Sequence, residues 1–183
     1  MGTLETDVEE SRRKEIEKLL ERFMLALDEK DWRSMRSSLA ERIDSDESGL
    51  GVESPTEIPR DQYVSKRQLS ISHLKTRHSL SHVRIDLFQE GHPTLATVFC
   101  DFTILRFLPY SPDEEAGRFH SCGRYRFIVE LTVELTAEPG LRKCSGERST
   151  GFTEAWLIRS ISEIGLKSEG NPGIYGAVQT SPR

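Results

Sequence analysis

Residues 118–136, RFHSCGRYRFIVELTVELT, contain no turn signal except Gly123. From Phe127 onward, Phe127, Val129, Leu131, Val133 and Leu135 alternate with Ile128, Glu130, Thr132, Glu134 and Thr136. That is the two-residue period of a strand. At ~3.3 Å per residue, a straight strand of this extent would reach roughly 60 Å, far beyond a compact domain. The strand must therefore curl, and Gly123 is the natural place for a bulge.

Other segments supply neighbours for it and something to wrap around. Between Val8 and Glu29, Ile16, Leu19, Leu20, Phe23, Met24 and Leu27 recur at helical spacing and form one apolar stripe. Asp31 is a plausible N-cap for a short second helix carrying Trp32, Met35 and Leu39. Residues 45–60, with Gly49, Gly51, Pro55 and Pro59, read as a loop, and 60–74 as a third helix. Val83, Ile85 and Leu87 alternate with His82, Arg84 and Asp86 as a half-wet strand. A turn at 89–93 leads to a strand at 94–108 that is apolar on both faces, and 109–117 is the next turn. A polar loop at 137–151 precedes the last strand, 152–166. Helices first, then a meander of long antiparallel strands, gives an α+β fold. A curved sheet around helix 8–29 makes a cone whose open end is a pocket. Whether loops 48–60 and 137–151 close over it stays open.

The chain has 183 residues, which suits a single domain, taken as 1–171 with a peripheral tail at 172–183. Its 25 basic and 30 acidic residues leave a net charge of −5 without a basic stripe, so nucleic acid is not an expected partner. No apolar run approaches the roughly 18–20 residues of a membrane span, and the charged N-terminus has no apolar core of a secretory signal. Gly2 and Thr6 match a myristoylation spacing, but no polybasic second signal accompanies them. Cys100, Cys122 and Cys144 are widely spaced with no CxxC, which suits free thiols in a reducing, cytoplasmic setting.

His73, His78 and His82 lie close together in sequence. Their H-x4-H-x3-H spacing is not a zinc pattern, and no cysteine ligand or HExxH lies nearby. No metal is expected. His82 reads as a solvated strand residue and His73 as a packed or exposed helix residue.

The order DEKDW (28–32), SLAERIDSD (38–46), KTRH (75–78), LATVFCDFTILRFLP, GRYRFIVEL and AWLIRSISEIGLKSEGN resembles the nuclear transport factor 2-like superfamily over roughly residues 10–171. Within it the likeness is greatest to the scytalone dehydratase and SnoaL-like polyketide cyclase group. The resemblance implies a cone holding a small polyketide-like substrate, worked on by aspartate and histidine without metal or organic cofactor. It maps the aspartate to Asp28 and the histidine, at the end of the third helix, to His78. Histidine suits the removal of a proton next to a carbonyl, because its pKa lies near neutrality. A carboxylate beside it fixes the tautomer and stabilises the imidazolium.

Departures from the dehydratase pattern are specific. Its two tyrosines correspond here to Leu27 and Glu47, and its second pocket histidine to Arg106. Ser121, preceded by His120, matches its serine, and its asparagine position is Gly123. Asn171, in the tail, is the sole asparagine of the chain. A guanidinium at Arg106 either points outward or meets an anion: Asp28, Asp46, or a substrate carboxylate or enolate. Tyr63 and Tyr125 are candidate phenol donors or ordinary core aromatics. Asp46 belongs to an acidic loop cluster, a third candidate.

Two functions follow. One is a cofactor-independent cyclase, dehydratase or isomerase of secondary metabolism, acting on a small, largely apolar ketone, with His78 as base or acid and Asp28 as its orienter. Arg106, Asp46, Tyr63, His120, Ser121 and Tyr125 would line its substrate site. The other is a non-catalytic small-molecule-binding or assembly module on the same cone. Related proteins pair through the sheet, so a homodimer is suggested by analogy.

Overall fold

The computed structural model describes residues 2–46, 56–89, 92–111, 113, 115–137 and 150–174. Along them run α1 (Gly2–Glu29), α2 (Trp32–Ser37), β1 (Leu39–Asp46), β2 (Thr56–Pro59) and α3 (Arg60–Ile71). The long strands β3 (Lys75–Gln89), β4 (His92–Phe107), β5 (Arg118–Ala137) and β6 (Thr150–Gly170) follow. They form one sheet in the order β2-β1-β6-β5-β4-β3. Pairing is antiparallel except between β1 and β6, which run parallel.

The curl expected at Gly123 is present. The β5–β6 register shifts between Cys122 and Arg124, and again between Ile128 and Val129. A Cβ at Gly123 would stand 3.0 Å from the Ile164 carbonyl oxygen and 3.2 Å from the Phe102 ring. Glycine lets the bent strand lie that close; any side chain would require these neighbours to give by a few tenths of an ångström. β3 breaks register between Ser81 and Arg84, where His82 takes φ 51°. Such bulges strengthen the twist and close the sheet into a cone.

The apolar stripe of α1 fills the concave side. Ile16, Leu19, Leu20, Phe23, Met24 and Leu27 are all buried, with Val98, Phe127, Val129 and Ile158 among the sheet residues they join. α1 ends in a Schellman-type cap: Lys30 has φ 61° and the Asp31 amide donates to the Ala26 carbonyl at 2.9 Å. Asp31 then caps α2 as expected, accepting from the Ser34 amide at 3.0 Å.

Several element bounds differ from the sequence reading. Leu39 opens β1 rather than closing a helix, since α2 stops at Ser37. The 45–60 segment is not all loop: Ser45 and Asp46 end β1, and 56–59 form β2, joined by the Ile43–Ile58 pairing and an Arg42–Glu57 ion pair. Its remainder, 47–55 with Glu47, lies outside the described residues, as do 138–149 with Cys144. The third helix ends at Ile71, and β3 begins at Lys75, eight residues before the alternation at Val83 marks it. Polar Thr76 and His78 obscure that first half, because His78 faces a cavity and Thr76 bonds to Asp28 rather than packing in a core. β6 runs past Leu166 to Gly170. The start of the 172–183 tail is not peripheral: Ile174 is 2% exposed, and its carbonyl accepts from His73 Nε2 at 2.7 Å.

Candidate active site

Alternation along four strands sets the polar lining of the cone. His78 of β3 pairs with Ile104 of β4, which pairs with Ser121 of β5, which pairs with Ser168 of β6. In the adjoining row Thr76, Arg106 and Phe119 stand side by side. Because side chains two apart share a face, both rows point inward. With Phe23 and Leu27 of α1 and Tyr63, Arg67 and Ile71 of α3, all of them but Thr76 enclose a cavity of about 510 Å³. A second cavity, about 340 Å³, lies between α1 and β3 and is lined by Glu17, Glu21, Met24 and Asp28 among others. His78 borders both, and so forms part of the wall between them.

Asp28 and His78 meet. His78 Nδ1 lies 2.6 Å from Asp28 Oδ1, and the His78 backbone amide donates to Oδ2 of the same carboxylate at 2.9 Å. Thr76 Oγ1 donates to Oδ1 at 3.0 Å. Lys30 Nζ in turn donates to Thr76 Oγ1 at 2.7 Å and to the Leu27 carbonyl at 2.9 Å. The left-handed turn at Lys30 thus brings its ammonium back beside the carboxylate. His78 reaches the site from a strand, not from the end of a helix as the resemblance implied.

These contacts fix charges as well as positions. Burial alone would raise the Asp28 pKa, but the hydrogen bonds from the His78 side chain and amide and from Thr76 outweigh it, so the carboxyl is held below its ordinary value. The His78 side chain is 6% exposed. Burial pulls its pKa below the usual 6.5, with Arg106 and Lys30 adding to that and Asp28 opposing it. Lys30 is pulled down to about 8 by burial, against the attraction of Asp28. At neutral pH the pair is therefore carboxylate and neutral imidazole. Nδ1 carries the proton, donated to Asp28, and Nε2 is the basic nitrogen.

The other candidates divide. Arg106 points inward; its Nη1 donates to Ser121 Oγ at 2.9 Å and its guanidinium lies 5.6 Å from the Phe119 ring centre. Tyr63 and Tyr125 both line the main cavity and are buried. Tyr63 Oη accepts from Arg67 Nε at 3.2 Å, and the Tyr125 phenol is pushed well above its ordinary pKa by burial and by Glu163. His120 does not join them. Ser121 faces inward, so its neighbour must face outward, and His120 borders an outer hollow with Glu115, Arg118 and Glu169. Asp46 ends β1 opposite Ser162 and lines neither cavity beside His78. The three neighbouring histidines also separate: His73 binds the Ile174 carbonyl, and His82 stands on the outside, 3.0 Å from Asp101. Among the described residues no group of three or more metal-binding side chains converges.

Sequence reasoning missed Lys30, Thr76, Lys66, Arg67 and Glu163. For α3 a signal existed: Tyr63, Lys66, Arg67, Ser70 and Ile71 recur at three- and four-residue steps, which places them on one helix face. Among the described residues no helix is long and apolar enough to cross a membrane.

Comparison with known proteins gives a matching pattern. Residues 9–140 match the family model of the SnoaL-like domain. No curated protein matches the chain. Among solved structures, the Kfla4162 protein of Kribbella flavida is similar, with TM-score 0.67 and 19% identity over 87% of this chain and 94% of that one. A provisionally named scytalone dehydratase from Novosphingobium aromaticivorans superposes with TM-score 0.60 at 14% identity, over 97% of this chain and 99% of the other. The beta subunit of the benzoate 1,2-dioxygenase from Burkholderia mallei has TM-score 0.50 at 17% identity, covering 83% and 88%. At such identities the structural likeness speaks for the fold, a helix-filled cone of the nuclear transport factor 2-like kind.

Proposed function

The chain belongs to the SnoaL-like domain family, and from that premise we propose that it is a cofactor-independent acid–base enzyme: a cyclase, dehydratase or isomerase of small, largely apolar ketones. One observation carries this reading. A buried imidazole borders a cavity of about 510 Å³, with Nδ1 tied to a carboxylate and Nε2 left as the base.

In the shared first step, His78 Nε2 takes a proton from the carbon next to the substrate carbonyl. The C–H electron pair becomes the enolate, whose negative charge collects on oxygen. Asp28 holds the ring in the productive tautomer and stabilises the imidazolium. Arg106 stabilises the enolate oxygen; it keeps its charge throughout and so serves as an electrostatic group rather than a proton carrier. The imidazolium then returns the proton. Return to a β-hydroxyl as its C–O bond breaks releases water and gives dehydration, return to another carbon gives isomerisation, and attack of the enolate on a second carbonyl gives ring closure, the new alkoxide taking the proton.

The test is proton exchange, which all three outcomes share. A panel of aryl ketones and β-hydroxyketones is incubated with the protein in D2O, and loss of the α-proton is followed by NMR. Wild type is expected to accelerate exchange, and His78→Gln to lose at least about 100-fold of that rate. Binding without exchange, or exchange indifferent to His78→Gln, would sink the enzyme reading in favour of a binding module.

A further inference from the structure

We propose that Lys30 is a positioning residue for the dyad: acting through the Thr76 hydroxyl, its ammonium sets the direction of the hydrogen-bond chain that ends at His78. The catalytic sense of this assignment rests on the function proposed above; its geometry does not.

Four side chains follow one another without a gap. Lys30 Nζ lies 2.7 Å from Thr76 Oγ1, which lies 3.0 Å from Asp28 Oδ1, and His78 Nδ1 lies 2.6 Å from that same oxygen. A hydroxyl has one proton to give, and Thr76 has two oxygens within reach: Asp28 Oδ1 and the Leu27 carbonyl at 3.4 Å. An ammonium has donors only, so Lys30 fills a lone pair of Thr76 and leaves the hydroxyl proton for a carbonyl or a carboxylate. Lys30 also donates to the Leu27 carbonyl at 2.9 Å, which supplies that competitor with a donor. The Thr76 proton then goes to Asp28. A carboxylate oxygen that accepts from both Thr76 and His78 stays ionised, so His78 gives up its Nδ1 proton to that bond and keeps Nε2 bare.

A lysine just past a helix bonds the last carbonyls in any case, and the Leu27 contact is that ordinary cap. Thr76 belongs to β3, 46 positions further on, and a cap has no use for it. Glycine would take the backbone at φ 61° without strain; lysine takes it with a side chain long enough to reach Thr76. Charge acts in the same sense as the chain. Half-buried Lys30 lowers the His78 pKa, as Arg106 of β4 does, against the pull of Asp28. The other charged groups bordering the cavities beside His78 are Glu17 and Glu21 of α1, Lys66 and Arg67 of α3, and Glu163 of β6. Burial, and to a lesser degree Arg106, brings Lys30 itself down to about 8, against Asp28. The chain therefore loses its ammonium as pH rises through that value.

The test follows the His78 ring nitrogens by NMR against pH in the full chain. The variants are Lys30→Met, Lys30→Arg, Thr76→Val and the Lys30→Met, Thr76→Val pair. Lys30→Met removes the ammonium at similar length; it should move the His78 titration, and with it the acidic limb of α-proton exchange, to higher pH. In wild type the same nitrogens should sense a second group with its midpoint near pH 8. That inflection should vanish in Lys30→Met, and in Lys30→Arg, whose guanidinium keeps its proton. The Lys30→Met shift should shrink in the Thr76→Val background, because the relay is already cut there. A lysine that only caps α1 would cost stability in urea and leave the His78 titration where it is. That result, a wild type without the second inflection, an inflection that persists in Lys30→Arg, or a Lys30→Met shift of equal size in both backgrounds would overturn the proposal. Wild type and Lys30→Arg decide it where Lys30→Met does not fold. The titrations need no substrate, so a protein that exchanges no α-proton loses the enzyme reading while the role of Lys30 is still judged.

Discussion

β3 carries the histidines of two Asp–His pairs, four residues apart, and the pairs differ in almost everything except chemistry. His78 and Asp28 lie 2.6 Å apart with side chains 6% and 21% exposed. His82 and Asp101 lie 3.0 Å apart with side chains 83% and 43% exposed. The inner carboxylate also receives the His78 amide and Thr76; the outer one receives Arg124 at 3.3 Å, in water. An exposed pair of this kind contributes roughly 0–1 kcal/mol and is screened by salt. The inner pair has its tautomer and orientation fixed by several contacts at once. What separates a candidate catalytic dyad from a surface ion pair here is enclosure, because the contact itself is much the same.

The largest expected difference is chemical. His78→Gln should lower α-proton exchange at least about 100-fold, and His82→Gln should leave it within about twofold; a comparable loss in the outer variant would erase the contrast. Stability comes next. Asp28→Ala leaves the His78 amide and Nδ1 without their acceptor and should cost about 2–3 kcal/mol in urea unfolding, against at most about 1 for Asp101→Ala.

The pH dependence sharpens this further. The folded pKa of Asp28 lies below its ordinary 3.8, so its contribution is present above that value and is lost as pH falls through the folded pKa. The folded pKa of His78 lies below 6.5, so the unfolded chain takes up its proton first, and stability declines as pH drops below about 6.5. His78→Gln should remove the decline that begins below 6.5 and weaken the more acidic one, because the His78 side chain is the largest of the contacts that lower Asp28. Asp28→Asn should move the His78 titration lower still, measured by NMR, since the carboxylate is what opposes burial. The smallest effect is Thr76→Val, which deletes the hydroxyl between Lys30 and Asp28 and should cost about 1 kcal/mol.

How legible all this was depends on whether a residue's neighbours in sequence report on its neighbours in space. The curl at Gly123 could be read from length alone, since a straight strand would not fit in the domain. The stripe of α1 could be read from its period. Asp28 and His78 came from family likeness, and no spacing rule joins residues fifty positions apart. Lys30 escaped notice because its role depends on a left-handed turn at a non-glycine residue, which leaves no compositional mark. His120 and Ser121 were both assigned to the pocket, although a two-residue period admits only one of them. Ile174 looked peripheral because a single buried residue after a strand has no period to reveal it.

The parallel seam between β1 and β6 has a consequence for how the molecule is made. Leu39 pairs with Ile158, and the Ser38 carbonyl accepts the Ile158 amide at 2.9 Å. At a synthesis rate of roughly 5–20 residues per second, the second partner leaves the ribosome on the order of ten seconds after the first. Until it arrives the sheet around the leading helix lacks its last strand, and the nascent chain presents part of that helix's greasy side to whatever is nearby. A cone whose first strand must be joined by its last forms late and slowly, as chains dominated by distant pairings do.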